Sequence, residues 1–117
     1  MTLERVAGML GADIMACRDN LGKEIESACG SDLMSDVLAF AKDKNMLITG
    51  LVNPQVIRTA EMLDIFAVAF VRGKKPTAEM IDMAEERSMT LISTGYTMYS
   101  ACGLLFENGV GRNETVY

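Results

Sequence analysis

The chain has 117 residues, half of them hydrophobic and 23% charged, with a formal net charge of -5. That balance excludes a disordered or fibrous chain and suits one domain with a sizeable core. The acidic excess repels phosphate backbones, and no basic stripe with interleaved aromatics offsets it, so no nucleic-acid partner is expected. No apolar run reaches the ~18 residues that would span a bilayer, so no membrane association is expected. The start, Met1-Thr2-Leu3-Glu4-Arg5, lacks the basic segment and apolar stretch of a secretory leader, and the cytoplasm is the expected compartment.

In chain order, Thr2 is placed to cap a first helix with Val6, Met9 and Leu10 turned inward. Ala12 to Cys17 and Glu24 to Cys29 read as two short strands of a hairpin around a turn at Asp19-Asn20-Leu21-Gly22. Ser31 then caps a helix with Leu33, Val37, Leu38 and Ala41 on one face.

From residue 46 a single plan repeats: apolar strand, glycine, cap, helix. The first unit runs Met46-Leu47-Ile48-Thr49-Gly50 and then Asn53-Pro54-Gln55-Val56-Ile57. Asn53 caps with its side-chain oxygen, and Pro54 suits the first helical position, where its missing N–H would have had no partner. The second unit runs from Ile65 to Val71, through Gly73, to Pro76-Thr77-Ala78-Glu79-Met80. The third runs Thr90-Leu91-Ile92-Ser93-Thr94-Gly95, then Thr97-Met98-Tyr99. Val56, Ile57, Ala60 and Leu63 share a helical stripe, as do Met80, Ile81 and Ala84, and again Met98, Ala101, Cys102, Leu105 and Phe106. The strands are apolar throughout and do not alternate, which fits strands covered on both faces of a parallel sheet.

The expected architecture is therefore α/β, with a mainly parallel sheet of repeated strand-loop-helix units. Residues 1–45 supply a helix, a hairpin and a second helix. Residues 46–110 supply three βα units, and 111–117 a loose tail, all within a single domain spanning 1–117.

The stretch from Met46 to Leu105 resembles the DRTGG domain. The resemblance lies in Ile48-Thr49-Gly50 closing the first strand, in Gly73 followed by Pro76-Thr77-Ala78-Glu79, and in Ser93-Thr94-Gly95-Tyr96 with Ala101. The opening helix and Leu10-Gly11-Ala12 are similar to the family's start. The Asp-Arg that names the family stands here as Val52-Asn53, and its Thr-Gly-Gly as Val71-Arg72-Gly73. Such domains occur in phosphotransacetylases and in CBS-containing pyrophosphatases, and a related fold opens HPr kinase/phosphorylase. The resemblance implies regulation or assembly, usually as a homodimer, and no established reaction.

In an open α/β sheet, ligands gather at the carboxyl ends of the strands, where helix N-termini favour anions. The candidate ligand-binding residues on that edge are Thr49, Gly50, Asn53, Arg72, Gly73, Lys74, Thr94, Gly95, Tyr96 and Thr97. With Lys75, Arg72 and Lys74 form the densest basic group of an acidic chain. A phosphate, a nucleotide or an acidic partner surface is the candidate occupant. The plainer reading is that the threonines and Asn53 cap helices and the cations are solvated. Gly73-Lys74-Lys75 is not a phosphate-binding P-loop, because that motif needs a glycine where Val68 stands.

No catalytic residue, metal ligand or cofactor is assigned. Histidine is absent, which closes the Ser-His-Asp, Cys-His and His-metal designs. Cys17 and Cys29 would lie roughly 16 Å apart in the expected hairpin, and Cys102 sits on an apolar helix face, so buried structural thiols are expected. The leading expectation is a non-catalytic regulatory or adaptor module that binds a small anion, with an adenine nucleotide as one form. The alternatives are a protein-interaction subunit of a larger metabolic or redox enzyme, and an enzyme using cysteine or lysine chemistry.

Overall fold

A computed structural model describes residues 1–112. The order is α1 Leu3–Met9, β1 Asp13–Ala16, a 3₁₀ turn Arg18–Asn20, β2 Ala28–Gly30, α2 Met34–Phe40 and β3 Met46–Thr49. Then come α3 Pro54–Met62, β4 Ala67–Phe70, α4 Ala78–Glu86, β5 Thr90–Ser93 and α5 Met98–Glu107. The strands form one sheet in the order β1-β5-β4-β3-β2. Strands β2 to β5 are parallel, and β1 runs antiparallel along β5.

Side-chain alternation explains the unbroken apolar strands. Leu47, Val68, Phe70 and Leu91 pack against α2, α3 and α4 on one face. Met46, Ile48, Ala67, Ala69 and Ile92 pack against α1 and α5 on the other. Every residue of β3, β4 and β5 is buried, because both faces are covered. Successive parallel strands step in one direction across the sheet, so crossovers of one hand put α2, α3 and α4 on the same face. The mainly parallel α/β sheet expected from the sequence is thus observed, as three layers.

Four of the five anticipated helix caps form. Thr2 accepts from the Arg5 N–H at 3.3 Å and Asn53 from the Gln55 N–H at 2.8 Å. Thr77 accepts from Met80 and Thr97 from Ser100, each at 3.2 Å. Each satisfies one donor that a helix start leaves without a partner.

The N-terminal third departs from the sequence reading. The expected hairpin does not exist: β1 and β2 lie on opposite edges of the sheet. Cys17 and Cys29 are therefore separated by the sheet's width, roughly 19 Å at four strand spacings. The turn residue Asn20 is buried, and its amide donates to the Phe66 carbonyl (3.3 Å), the Ser88 carbonyl (2.7 Å) and Thr90 Oγ1 (3.1 Å). These bonds tie the turn to the lower ends of β4 and β5, so the chain crosses beneath the sheet and does not fold back on itself. Strand β2 instead pairs with β3, with Ala28, Cys29 and Gly30 opposite Met46, Leu47 and Ile48.

Helix α2 also begins later than expected. Ser31 does not cap it; its Oγ accepts from the Leu33 N–H at 3.1 Å, and Leu33 holds the N-cap position without a side-chain bond. The inward stripe is Met34, Val37 and Ala41, with Leu33 and Leu38 exposed. Phe106, expected on the inner stripe of α5, is exposed as well. Gly111 is tied by its N–H to the Glu26 carbonyl at 2.9 Å; residues 113–117 of the expected tail lie outside the described residues.

Candidate ligand site at the strand ends

The upper ends of β3, β4 and β5 are stitched together by their own loops. The Val71 N–H donates to the Thr49 carbonyl at 3.1 Å. The Arg72 and Gly73 N–H groups donate to the Tyr96 and Thr94 carbonyls, both at 2.8 Å. These last two bonds hold Arg72 and Gly73 in the left-handed region, at φ of 57° and 70°. Gly73 takes that conformation freely, whereas an arginine there stores strain that the surroundings must impose.

The Arg72 side chain lies beside Gly50. A side chain on Gly50 would stand 2.8 Å from an Arg72 guanidinium nitrogen and 3.6 Å from an Asp32 carboxylate oxygen. Glycine at 50 therefore opens the space that the guanidinium occupies.

Asp32 was not foreseen. Its Oδ1 accepts from the Gly50 N–H at 2.6 Å and from Thr49 Oγ1 at 3.0 Å. It enters the site because β2 is a fourth parallel strand whose own loop, Gly30-Ser31-Asp32, reaches the same edge. The signal lay in the glycines: 30, 50, 73 and 95 are one series, and the hairpin assignment hid the first.

Of the ten expected residues, Thr49, Gly50, Arg72, Gly73, Thr94 and Tyr96 form one bonded group. Thr49 and Thr94 are buried within it. Thr94 Oγ1 donates to the Leu10 carbonyl at 2.7 Å and accepts from the Tyr96 N–H at 3.2 Å. Both threonines are struts. Asn53 and Thr97 spend their side chains as caps, outside that network. The Lys74 carbonyl accepts from Ser93 Oγ at 2.6 Å, which fixes its backbone while its side chain stays exposed. Lys75 pairs with Asp13 at 3.5 Å, both exposed. The N–H groups of Gly50, Leu51, Arg72, Gly73 and Tyr96 are all spent within the protein. An arriving anion therefore meets a guanidinium and not a cradle of backbone N–H groups.

Beside this edge lies an open groove of about 880 Å³ between α5 and β2. Ala28, Gly30 and Ile48 line it from the sheet, and Tyr96, Tyr99 and Phe106 from the α5 side. Tyr99 is 89% exposed and Phe106 59%.

Cys17 is buried, and Cys29 and Cys102 are half-buried; only Cys17 meets the expectation of full burial. Burial, and then the neighbouring Cys29, push the Cys102 thiol above its ordinary value. Among the described residues, no three His, Cys, Asp or Glu side chains cluster to hold a metal. No described helix is long and apolar enough to cross a membrane.

No protein-family model matches the chain, and no curated protein sequence matches it. Among solved structures it is similar to the CBS and DRTGG domains of the regulatory region of Clostridium perfringens pyrophosphatase, complexed with the activator diadenosine tetraphosphate. The TM-score is 0.73 at 18% identity, covering 97% of this chain and 50% of that one. A likeness at that identity is a likeness of fold. The chain spans half the length of that regulatory region.

Proposed function

We propose that the chain is a non-catalytic regulatory module of the DRTGG type, working in the cytoplasm as a homodimer. In this reading it senses a small anionic metabolite at the strand-end edge and passes the signal to a larger enzyme. The observation that carries it is the Arg72 guanidinium lying beside side-chain-free Gly50, on a loop whose left-handed backbone two loop carbonyls maintain. Strain kept at a solvent-facing edge points to use of that residue. The fold likeness to a regulatory region supports the sensing role, and the sequence resemblance supports the DRTGG assignment. Lys74 adds a second cation on the same loop.

A second reading is favoured by the exposed aromatics of α5. Tyr99 and Phe106 beside an apolar groove suit a protein-interaction subunit with no ligand of its own.

The test is thermal unfolding of the protein with a panel of nucleotides, phosphorylated metabolites and inorganic phosphate. A ligand at 100 times its dissociation constant adds ~2.7 kcal/mol, a shift of several degrees for a domain of this size. The sensing reading expects such a shift, and expects Arg72→Ala with Lys74→Ala to remove it while dimerisation persists. An unchanged shift in the double variant removes the site. A flat response across the panel gives the interaction reading the case.

A further inference from the structure

The strand-end cation and the apolar groove lie on the same face of the sheet. A side chain on Gly50 would contact Val71 at 3.6 Å as well as Arg72, and Val71 packs in the α1/α5 core. A side chain on Gly30 would meet Cys102 Sγ at 2.8 Å and Met98 at 3.8 Å, both on α5. Gly30 and Ile48 line the groove floor, and Gly50 follows Ile48 on the same side of β3, ~7 Å along the strand. Tyr96 joins the two regions: it lines the groove, and its carbonyl fixes the Arg72 backbone.

We infer that the groove and Arg72 are one composite site for a planar aromatic anion. The aromatic body lies on the glycine-lined floor against Tyr99 and Phe106, and the anionic group reaches the Arg72 guanidinium. This rests on the strand-end reading and deepens it by naming the ligand class. The groove has the volume of a small-molecule site. Its rim is aromatic, where flat rings stack in offset or edge-to-face arrangements. Its strand end carries the Arg72 guanidinium beside the Asp32 carboxylate, and the guanidinium binds carboxylate, phosphate or sulfonate oxygens through charge-assisted bonds. A purely apolar ligand would leave that cation unused, and inorganic phosphate would leave the aromatic rim unused.

The experiment measures binding of anilinonaphthalene sulfonate, an aromatic anion, and of uncharged phenylnaphthylamine by fluorescence. Arg72→Ala should weaken the sulfonate by about tenfold to hundredfold and leave the uncharged probe within about twofold. Gly103→Phe should weaken both by about tenfold or more. Gly103 lines the groove, and a Cβ there meets no atom within 4 Å. Tyr99→Ala, at an exposed position, should weaken both probes and serves if Gly103→Phe folds poorly. If neither groove variant changes sulfonate binding, the composite site is wrong. Loss of inorganic phosphate binding in Arg72→Ala would then leave the strand-end reading standing without it. If Arg72→Ala affects neither sulfonate nor phosphate, both readings fall. A concentration-dependent dimer that Gly103→Phe dissociates in light scattering would assign the groove to a second copy and overturn the proposal.

Discussion

The two faces of the sheet are covered unequally. Three helices, α2, α3 and α4, close one face, because three like-handed crossovers deliver them side by side. Only α1 and α5 cover the other, and the β2 end of that face remains an open groove. The crowded face keeps the fold together, and the sparse face leaves room for a ligand or partner.

The largest effect expected from that contrast is on the closed face. Phe70 is fully buried against α2, α3 and α4, and Phe70→Ala should cost ~3–5 kcal/mol in urea unfolding. A loss below ~1 kcal/mol would mean that this face is as loose as the other. Next is the anchor beneath the sheet. Asn20→Ala leaves the Ser88 carbonyl and the Thr90 hydroxyl short of a donor, while the Phe66 carbonyl keeps the Thr90 N–H, and should cost ~1–3 kcal/mol by the same measurement. A neutral result would remove the reason given for the absent hairpin.

Smaller effects probe the open side. Gly103→Ala fills empty space in the middle of α5 and should stabilise the protein by ~0.5–1 kcal/mol in thermal unfolding. Destabilisation would show that the groove is already filled. The mildest test is chemical. Cys102 should alkylate more slowly than free cysteine near neutral pH, because its raised value keeps it protonated. Its contribution to stability is present below the ordinary thiol value and is lost as pH climbs through the raised one. Faster alkylation than free cysteine would contradict its burial.

How far the sequence reveals this fold depends on the segment. The three C-terminal units were legible because each states its structure twice: an apolar strand long enough to be covered on both faces, and a cap residue at the helix start. Thr77 and Thr97 show this, as does Asn53 with Pro54. Strand β2 has only three residues and sits at an edge, so its pattern is too short to distinguish parallel pairing with β3 from a hairpin with β1. That choice is made by distant contacts, chiefly those of buried Asn20, which local patterning does not encode. Part of the site was lost for the same reason. Arg72, Gly50 and Tyr96 are found from the βα plan, but Asp32 belongs to the strand that was paired wrongly. The strut roles of Thr49 and Thr94 depend on partners 17 and 84 residues away.

The most direct test of the account is an amide NMR titration with the anion that stabilises the protein most in the thermal panel. The account predicts shifts concentrated at Gly50, Arg72, Gly73, Gly95 and Tyr96, with those shifts abolished by Arg72→Ala. Shifts centred on the α2–α4 face, or unchanged by the substitution, would contradict it.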